Sequence, residues 1–129
     1  MRFLLTTAPG KDSKQGAAPD PKLMAAIGKL GEEMTKAGVL LESGGLGLQG
    51  VRVRLSGGKV VVTDGPFAEA KEVMGGYAII QVKSQEEATE MAKRFLEVHR
   101  QVLGASYEAE NEVRRLYGPW DFAPEAAQG

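Results

Sequence analysis

Residues 51–64 read Val-Arg-Val-Arg-Leu-Ser-Gly-Gly-Lys-Val-Val-Val-Thr-Asp, two alternating runs on either side of a Gly-Gly pair. Alternation with period two is typical of β-strands, and a glycine pair between two such runs predicts a tight two-residue hairpin. The predicted register pairs Leu55 with Val60, Arg54 with Val61, Val53 with Val62, Arg52 with Thr63, and Val51 with Asp64. The valines at 51, 53, 60 and 62 are therefore expected to share one face of an antiparallel pair with Asp64.

A helix is predicted on each side of this hairpin. Before it, Asp20 is a typical N-cap with Pro21 at the first helical position, and Gly38 lies where a left-handed C-terminal cap is usual. After it, Ser84 and Glu87 form a capping box. Apolar residues recur at helical spacing, and the predicted buried stripes are Leu23, Ile27, Leu30, Met34 and Ala37 in the first helix and Ala88, Met91, Ala92, Phe95 and His99 in the second.

Further strands are predicted at residues 2–7, 39–41, 77–83 and 107–117, whereas the glycine-rich segment 44–50 is expected to be an irregular connector. The order of elements indicates an α+β fold, a ferredoxin-like βαββαβ sandwich with both helices on one face of an antiparallel sheet. We expect chains to associate through the other face of the sheet, which is mixed in character. Its predicted residues are Arg52, Arg54, Tyr77, Ile79 and Gln81.

The composition is that of one globular domain. The 129 residues include 43% hydrophobic and 26% charged residues, and the formal net charge is -1, so neither a nucleic-acid nor a membrane partner is expected. The chain has no cysteine, which excludes disulfides, thiolate nucleophiles and zinc-finger spacings. No apolar run approaches the ~20 residues of a membrane span, and we expect a cytoplasmic protein.

Asp64, Lys71 and His99 are the residues that point most directly to chemistry. An acid on the apolar face of a hairpin can serve as a general base, although Asp64 followed by Gly-Pro is equally typical of a turn. Lys71 either binds an anionic group or belongs to a solvated surface cluster. His99 lies on an apolar stripe, which is more typical of a core histidine, and it becomes a catalytic candidate only beside Asp64. One histidine among scattered carboxylates makes a poor transition-metal site, so no bound metal is expected.

Residues 63–77 read Thr-Asp-Gly-Pro-Phe-Ala-Glu-Ala-Lys-Glu-Val-Met-Gly-Gly-Tyr, and this run closely resembles the DGPF-containing branch of the YCII-related family. Further runs that resemble the same branch lie at residues 56–59, 82–88, 94–100 and 112–114. The resemblance spans most of residues 1–123, which we take as one domain, followed by a flexible tail at 124–129.

The resemblance implies a ferredoxin-like subunit that pairs into a dimeric α/β barrel, with a small-molecule cleft beside the Asp-Gly-Pro turn. YCII-like relatives pair the aspartate of this turn with a histidine as a catalytic dyad, and Asp64 matches that aspartate. Their histidine lies on the first helix, where residues 22–37 of this chain contain none. His99 is therefore expected to replace it only if the fold brings it to Asp64.

Two functions are consistent with these features. The first is a cofactorless enzyme that acts on a small anionic or carbonyl-bearing metabolite, with Asp64 and His99 as catalytic residues. Its expected substrate-binding residues are Arg52, Arg54, Pro66, Phe67, Lys71, Tyr77 and Arg114. The second is a non-catalytic homodimeric module that binds a ligand or regulates a partner, and the resemblance links some members to transcription that depends on extracytoplasmic-function sigma factors.

Overall fold

The computed structural model describes residues 1–9, 20–47, 50–64 and 75–121. Two helices and six strands are defined in these ranges. In chain order they are β1 (Arg2–Pro9), α1 (Pro21–Lys36), β2 (Leu40–Gly45), β3 (Val51–Ser56), β4 (Lys59–Asp64), β5 (Gly76–Gln81), α2 (Gln85–Leu103) and β6 (Ala109–Leu116), followed by a single 3-10 turn at Pro119–Asp121. The predicted tail at 124–129 lies outside the described residues.

Four of the strands form one antiparallel sheet in the order β2-β5-β1-β6. The helices α1 and α2 contact each other, and α2 also contacts β1 and β6. Without β3 and β4, the remaining elements run strand, helix, strand, strand, helix, strand. The α+β class and the antiparallel sheet are therefore confirmed, and the arrangement is consistent with a ferredoxin-like fold.

The strands β3 and β4 form a separate two-stranded sheet. Every predicted pairing in this hairpin is confirmed, from Val51 opposite Asp64 to Leu55 opposite Val60. Gly57 and Gly58 both adopt positive φ, 59° and 79°, which the tight turn requires and which residues with a side chain rarely adopt.

The predicted place of Arg52 and Arg54 was wrong. We expected these two arginines on the face of the main sheet that carries Tyr77, but they lie on the separate hairpin. The alternating sequence pattern predicts which residues lie opposite each other across a tight turn, because the turn fixes the register locally. It carries no information about which layer the finished hairpin joins.

Both helices begin at the predicted caps. The Asp20 carboxylate accepts hydrogen bonds from the backbone N–H of Lys22, at 2.8 Å, and of Leu23. At the second helix, the Ser84 hydroxyl accepts from the Glu87 N–H at 3.1 Å. These bonds satisfy amide donors that the first turn of a helix leaves without partners. Neither helix of the described residues is long and apolar enough to cross a membrane.

The core lies between the helices and one face of the four-stranded sheet. Its buried residues are Phe3, Leu5, Leu30, Met34, Ile80, Val82, Ala88 and Ala92. Phe3 and Leu5 lie on β1 and Ile80 on β5, so these residues define the helix-facing side of the sheet. Residues between them along each strand point to the opposite side, because side chains alternate along a strand.

The glycine-rich segment is more regular than predicted, because β2 continues through Gly44 and Gly45. These residues pair with Tyr77 and Gly76 of β5. A Cβ atom at Gly44 would lie 3.0 Å from Cε1 of Tyr77, so the glycine leaves room for the tyrosine ring against the backbone. Glycine inside a strand often marks such a close approach.

Candidate functional site

The side of the four-stranded sheet that faces away from the helices carries a mixed set of side chains. We call it the open sheet face, and its residues are Arg2, Leu4, Thr6, Glu42, Tyr77, Ile79, Gln81, Glu110, Glu112, Arg114 and Leu116. The pairings order the central residues into rows. One row crosses the sheet through Tyr77, Thr6 and Glu112, and the adjacent row through Ile79, Leu4 and Arg114.

Tyr77 and Glu42 form a polar pair at one side of the open sheet face. The Tyr77 hydroxyl donates a hydrogen bond to Oε2 of Glu42 at 3.3 Å. The negative charge of Glu42 raises the pKa of Tyr77 above its ordinary value, and partial burial and the hydrogen bond act in the same direction. The phenol therefore stays protonated at neutral pH and remains a hydrogen-bond donor on this face.

Arg114 lies on the same face, on the far side of β1. Its Nε donates to Oε2 of Glu112 at 3.1 Å, and its Nη2 lies 3.0 Å from the same oxygen. The two side chains are 72% and 48% exposed, and exposed ion pairs of this kind are worth only about 0–1 kcal/mol. Glu112 thus orients the guanidinium but holds it weakly, and the remaining N–H groups can donate to a carboxylate or carbonyl oxygen.

Apolar side chains lie between these two polar points. Leu4 of β1 pairs directly with Ile79 of β5, and both are only partly buried. Tyr77 and Arg114 lie on strands separated by one other strand and in adjacent rows, so their backbones are roughly 12 Å apart. This spacing suits a small molecule that has an apolar body and an oxygen-bearing group at one or both ends.

Asp64 lies at the end of β4, on the hairpin face that also carries Val51, Val53 and Val62. That face is as apolar as the sequence predicted, but it is exposed within the single chain, and the Asp64 side chain is exposed with it. The expected shelter around this carboxylate is therefore absent from the described part of one chain.

His99 lies in the helix layer, on the opposite side of the sheet from Tyr77 and Arg114. It is buried, with an exposed fraction of 6%. Its Nδ1 is 2.9 Å from the carbonyl oxygen of Phe95, an arrangement in which Nδ1–H donates and the carbonyl accepts. The ring lies 4.6 Å from the Phe95 ring and is stacked at 5.8 Å on Tyr107. These contacts are those of a satisfied core histidine.

The predicted site residues therefore separate into three groups. Tyr77 and Arg114 share the open sheet face, Arg52, Arg54 and Asp64 lie on the hairpin, and His99 lies among the helices. Pro66, Phe67 and Lys71 lie outside the described residues. The catalytic roles of Asp64 and His99 stay predictions.

Two acidic residues of the open sheet face, Glu42 and Glu112, were not among the predicted site residues. The alternation of 108–114 already indicated that Glu112 shares a face with Arg114. Glu42 had no such signal, because an irregularity in the pairing of β2 between Leu40 and Glu42 changes the side to which Glu42 points.

A shallow groove on the outer surface of the helices is lined partly by Lys29, Glu33, Arg94 and Glu97. Arg94 and Glu33 are 3.2 Å apart, so this ion pair already links α2 and α1 across the groove. Across the described ranges, no three His, Asp or Glu side chains are grouped closely enough to hold a metal ion.

Comparison with known proteins identifies the family of the domain. The model of the YCII-related domain matches residues 1–108, a range that runs from β1 through the end of α2 and stops just before β6. No curated protein matches the chain.

Proposed function

The chain belongs to the YCII-related domain family, and we propose that it is a homodimeric protein that binds a small anionic or carbonyl-bearing molecule on its open sheet face. Within the family, we assign it to the DGPF-containing branch because residues 64–67 read Asp-Gly-Pro-Phe. The observation that carries the proposal is the placement of the Tyr77 hydroxyl and the Arg114 guanidinium on one face, with Leu4 and Ile79 between them.

The mixed character of the open sheet face supports a dimer. Stable domains bury each hydrophobic face against a second layer, and the helices cover the other side of this sheet. Leu4, Ile79 and Leu116 remain partly exposed on the open sheet face. A second copy of this chain, packed on the open sheet face, would cover them and would form the dimeric α/β barrel. The polar groups between the two subunits would then line a cleft from which most water is excluded.

Binding is favoured over catalysis by the surroundings of the two candidate catalytic residues. A general base and its partner must lie within hydrogen-bond reach of each other or be joined through one water. The Nδ1 atom of His99 is engaged with Phe95, and the imidazole ring lies between Phe95 and Tyr107 in the helix layer. Asp64 is exposed on the hairpin. The ligand-binding or regulatory module is therefore the function that the geometry supports best.

The test measures binding of a panel of small monocarboxylates and 2-oxo acids by thermal shift and calorimetry. Arg114→Ala should weaken binding of the best member about tenfold or more, since a hydrogen bond to a charged group contributes about 1.5–3 kcal/mol. Arg115→Ala is the matched control, because Arg115 is the next residue on β6 and pairs with Phe3 on the helix-facing side. Equal effects of the two changes, or none, would contradict a site on the open sheet face.

A cofactorless enzyme remains the second candidate, and the observation that favours it is the position of Asp64 on an apolar face. If a partner covers that face, the carboxylate becomes an acid in a water-poor environment and can act as a general base. Asp64→Asn should then abolish turnover of any panel member that the protein converts, while the fold is retained. An unchanged rate would eliminate Asp64 as the base.

A further inference from the structure

The hairpin of β3 and β4 has one strongly apolar face. We call it the apolar hairpin face, and it consists of Val51, Val53, Leu55, Val60 and Val62, with Asp64 at its end. The five aliphatic residues are between 59% and 74% exposed. The opposite face of the same hairpin is mainly polar, since it carries Arg52, Arg54, Lys59 and Thr63 beside one aliphatic residue, Val61.

This hairpin does not have the support that a two-stranded sheet normally needs. Among the described helices and strands, β3 and β4 pack extensively only with each other. An isolated two-stranded hairpin is marginally stable in water, and a third strand or a packed layer is needed to hold it. Exposed aliphatic residues that are contiguous mark an interaction surface more often than a free one. The apolar hairpin face therefore requires a covering surface.

The size of the apolar hairpin face indicates what covers it. Full burial of one aliphatic side chain contributes about 1.5–3 kcal/mol, which at about 25 cal/mol per Å² corresponds to about 60–120 Å² of apolar surface. Five such side chains, each about two-thirds exposed, therefore present roughly 200–400 Å² of apolar surface to the solvent. A stable dimer buries about 800 Å² on each partner. The hairpin is therefore too small to hold two proteins together alone, and it must act together with a second surface.

Within the described residues the open sheet face is such a surface, because its partly exposed Leu4, Ile79 and Leu116 also lack a covering layer in one copy. In a two-fold symmetric dimer the hairpin of each copy would pack on the open sheet face of the other. The apolar hairpin face and the open sheet face of both copies would then be covered. A different protein would have to supply both a surface for the hairpin and a cover for the open sheet face, whereas a second copy of this chain carries both.

We propose that the apolar hairpin face of one copy packs on the open sheet face of a second copy of this chain. The hairpin is then an arm between subunits, and it brings Asp64 of one copy to the face that carries Tyr77 and Arg114 of the other. This inference rests on the proposed function, because it takes the homodimer and its open-face ligand site as given. It adds that each ligand site contains an acidic residue from the partner subunit.

The first test compares two neighbouring valines of the hairpin by sedimentation equilibrium. Val62→Glu places a charge on the apolar hairpin face, whereas Val61→Glu places the same charge on the opposite face. Val62→Glu should raise the dimer dissociation constant at least about tenfold, because an unpaired charge is costly to bury. Val61→Glu should leave it unchanged. If wild type is a dimer and both variants match it, the arm is refuted and the homodimer stands; if wild type is monomeric at every concentration, the homodimer itself is refuted.

The second test is independent of any loss of stability in the glutamate variants. Since the chain has no cysteine, single-cysteine variants can form disulfides only between copies. A mixture of Val62→Cys and Ile79→Cys chains, refolded together and oxidised, should give a covalent pair that contains one chain of each kind. Pairs formed by Val62→Cys with itself would show that hairpins pack on hairpins, and would overturn the placement on the sheet. The absence of any covalent pair would overturn it as well.

Discussion

Two adjacent isoleucines of β5 test the division of the sheet into a core face and an open face. Ile80 is completely buried among Phe3, Met34 and Ala92, whereas Ile79 points to the open sheet face and is only partly buried. Replacing a buried isoleucine with alanine costs about 2–5 kcal/mol, and we expect about 4 kcal/mol for Ile80→Ala, since a site enclosed by two helices and two neighbouring strands collapses poorly. That cost is a large part of a total stability of about 5–15 kcal/mol.

Ile79→Ala should cost only about 1 kcal/mol in the single chain, because partial burial gives a fraction of the about 1.5–3 kcal/mol of full burial. Urea unfolding followed by circular dichroism at several protein concentrations measures both changes. The cost of Ile80→Ala should be the same at every concentration, while that of Ile79→Ala should grow as the dimer forms over it. If Ile79→Ala costs as much as Ile80→Ala in the most dilute sample, the assignment of faces is wrong. If its cost never changes with concentration, the open sheet face is not a dimer interface.

Three further outcomes follow from local contacts. Glu42 raises the pKa of Tyr77 in the folded chain, so the protonated phenol contributes stability below the unfolded pKa of about 10, and this contribution is lost as the pH rises through the folded pKa. Glu42→Gln should therefore lower the Tyr77 pKa in an absorbance titration. A titration that matches wild type would contradict the Tyr77–Glu42 pairing. Gly44→Ala should lower the Tyr77 pKa by less than Glu42→Gln does, because its Cβ would move the Tyr77 ring by only a few tenths of an ångström. A Tyr77 titration unchanged from wild type would show that the ring does not need this space. Ser84→Ala should cost about 0.5–2 kcal/mol in urea unfolding through loss of the cap on the Glu87 N–H, whereas a cost near zero would mean that water replaces the hydroxyl.

Local features of the fold could be predicted from the sequence wherever the physical cause is itself local. The hairpin register follows from a two-residue turn and alternation, and all of its pairings from Val51 to Asp64 are confirmed. The helix starts at Asp20 and Ser84 follow from side chains that accept bonds from backbone N–H groups three or fewer residues away. None of these features depends on a distant part of the chain.

The position of Glu42 could not be predicted, because it depends on the partner strand. Simple alternation from Leu40 would point Glu42 toward the helices. The pairing of β2 with β5 is irregular at this point, so that Leu40 lies opposite Ile80 and Glu42 lies opposite the next residue, Ile79. An extra residue of this kind shifts every following side chain to the other face. The Tyr77–Glu42 pair therefore becomes visible only in the folded sheet.

The surroundings of Asp64 could not be predicted for a different reason. The sequence correctly places Asp64 on an apolar hairpin face, yet the shelter of that face depends on what packs against it. In one chain the described elements leave it exposed. The candidate site could thus be predicted as a set of residue types, but its assembly depends on contacts between layers and, under our proposal, between subunits.

Amide hydrogen exchange across a dilution series tests the intersubunit arm most directly. Peptides from 51–64 should exchange slowly when the protein is concentrated and much faster when it is dilute, since the hairpin loses its covering surface as the dimer separates. Peptides from β1, at the centre of the four-stranded sheet, should stay protected in every sample. Exchange of 51–64 at one rate across the whole series would contradict the account.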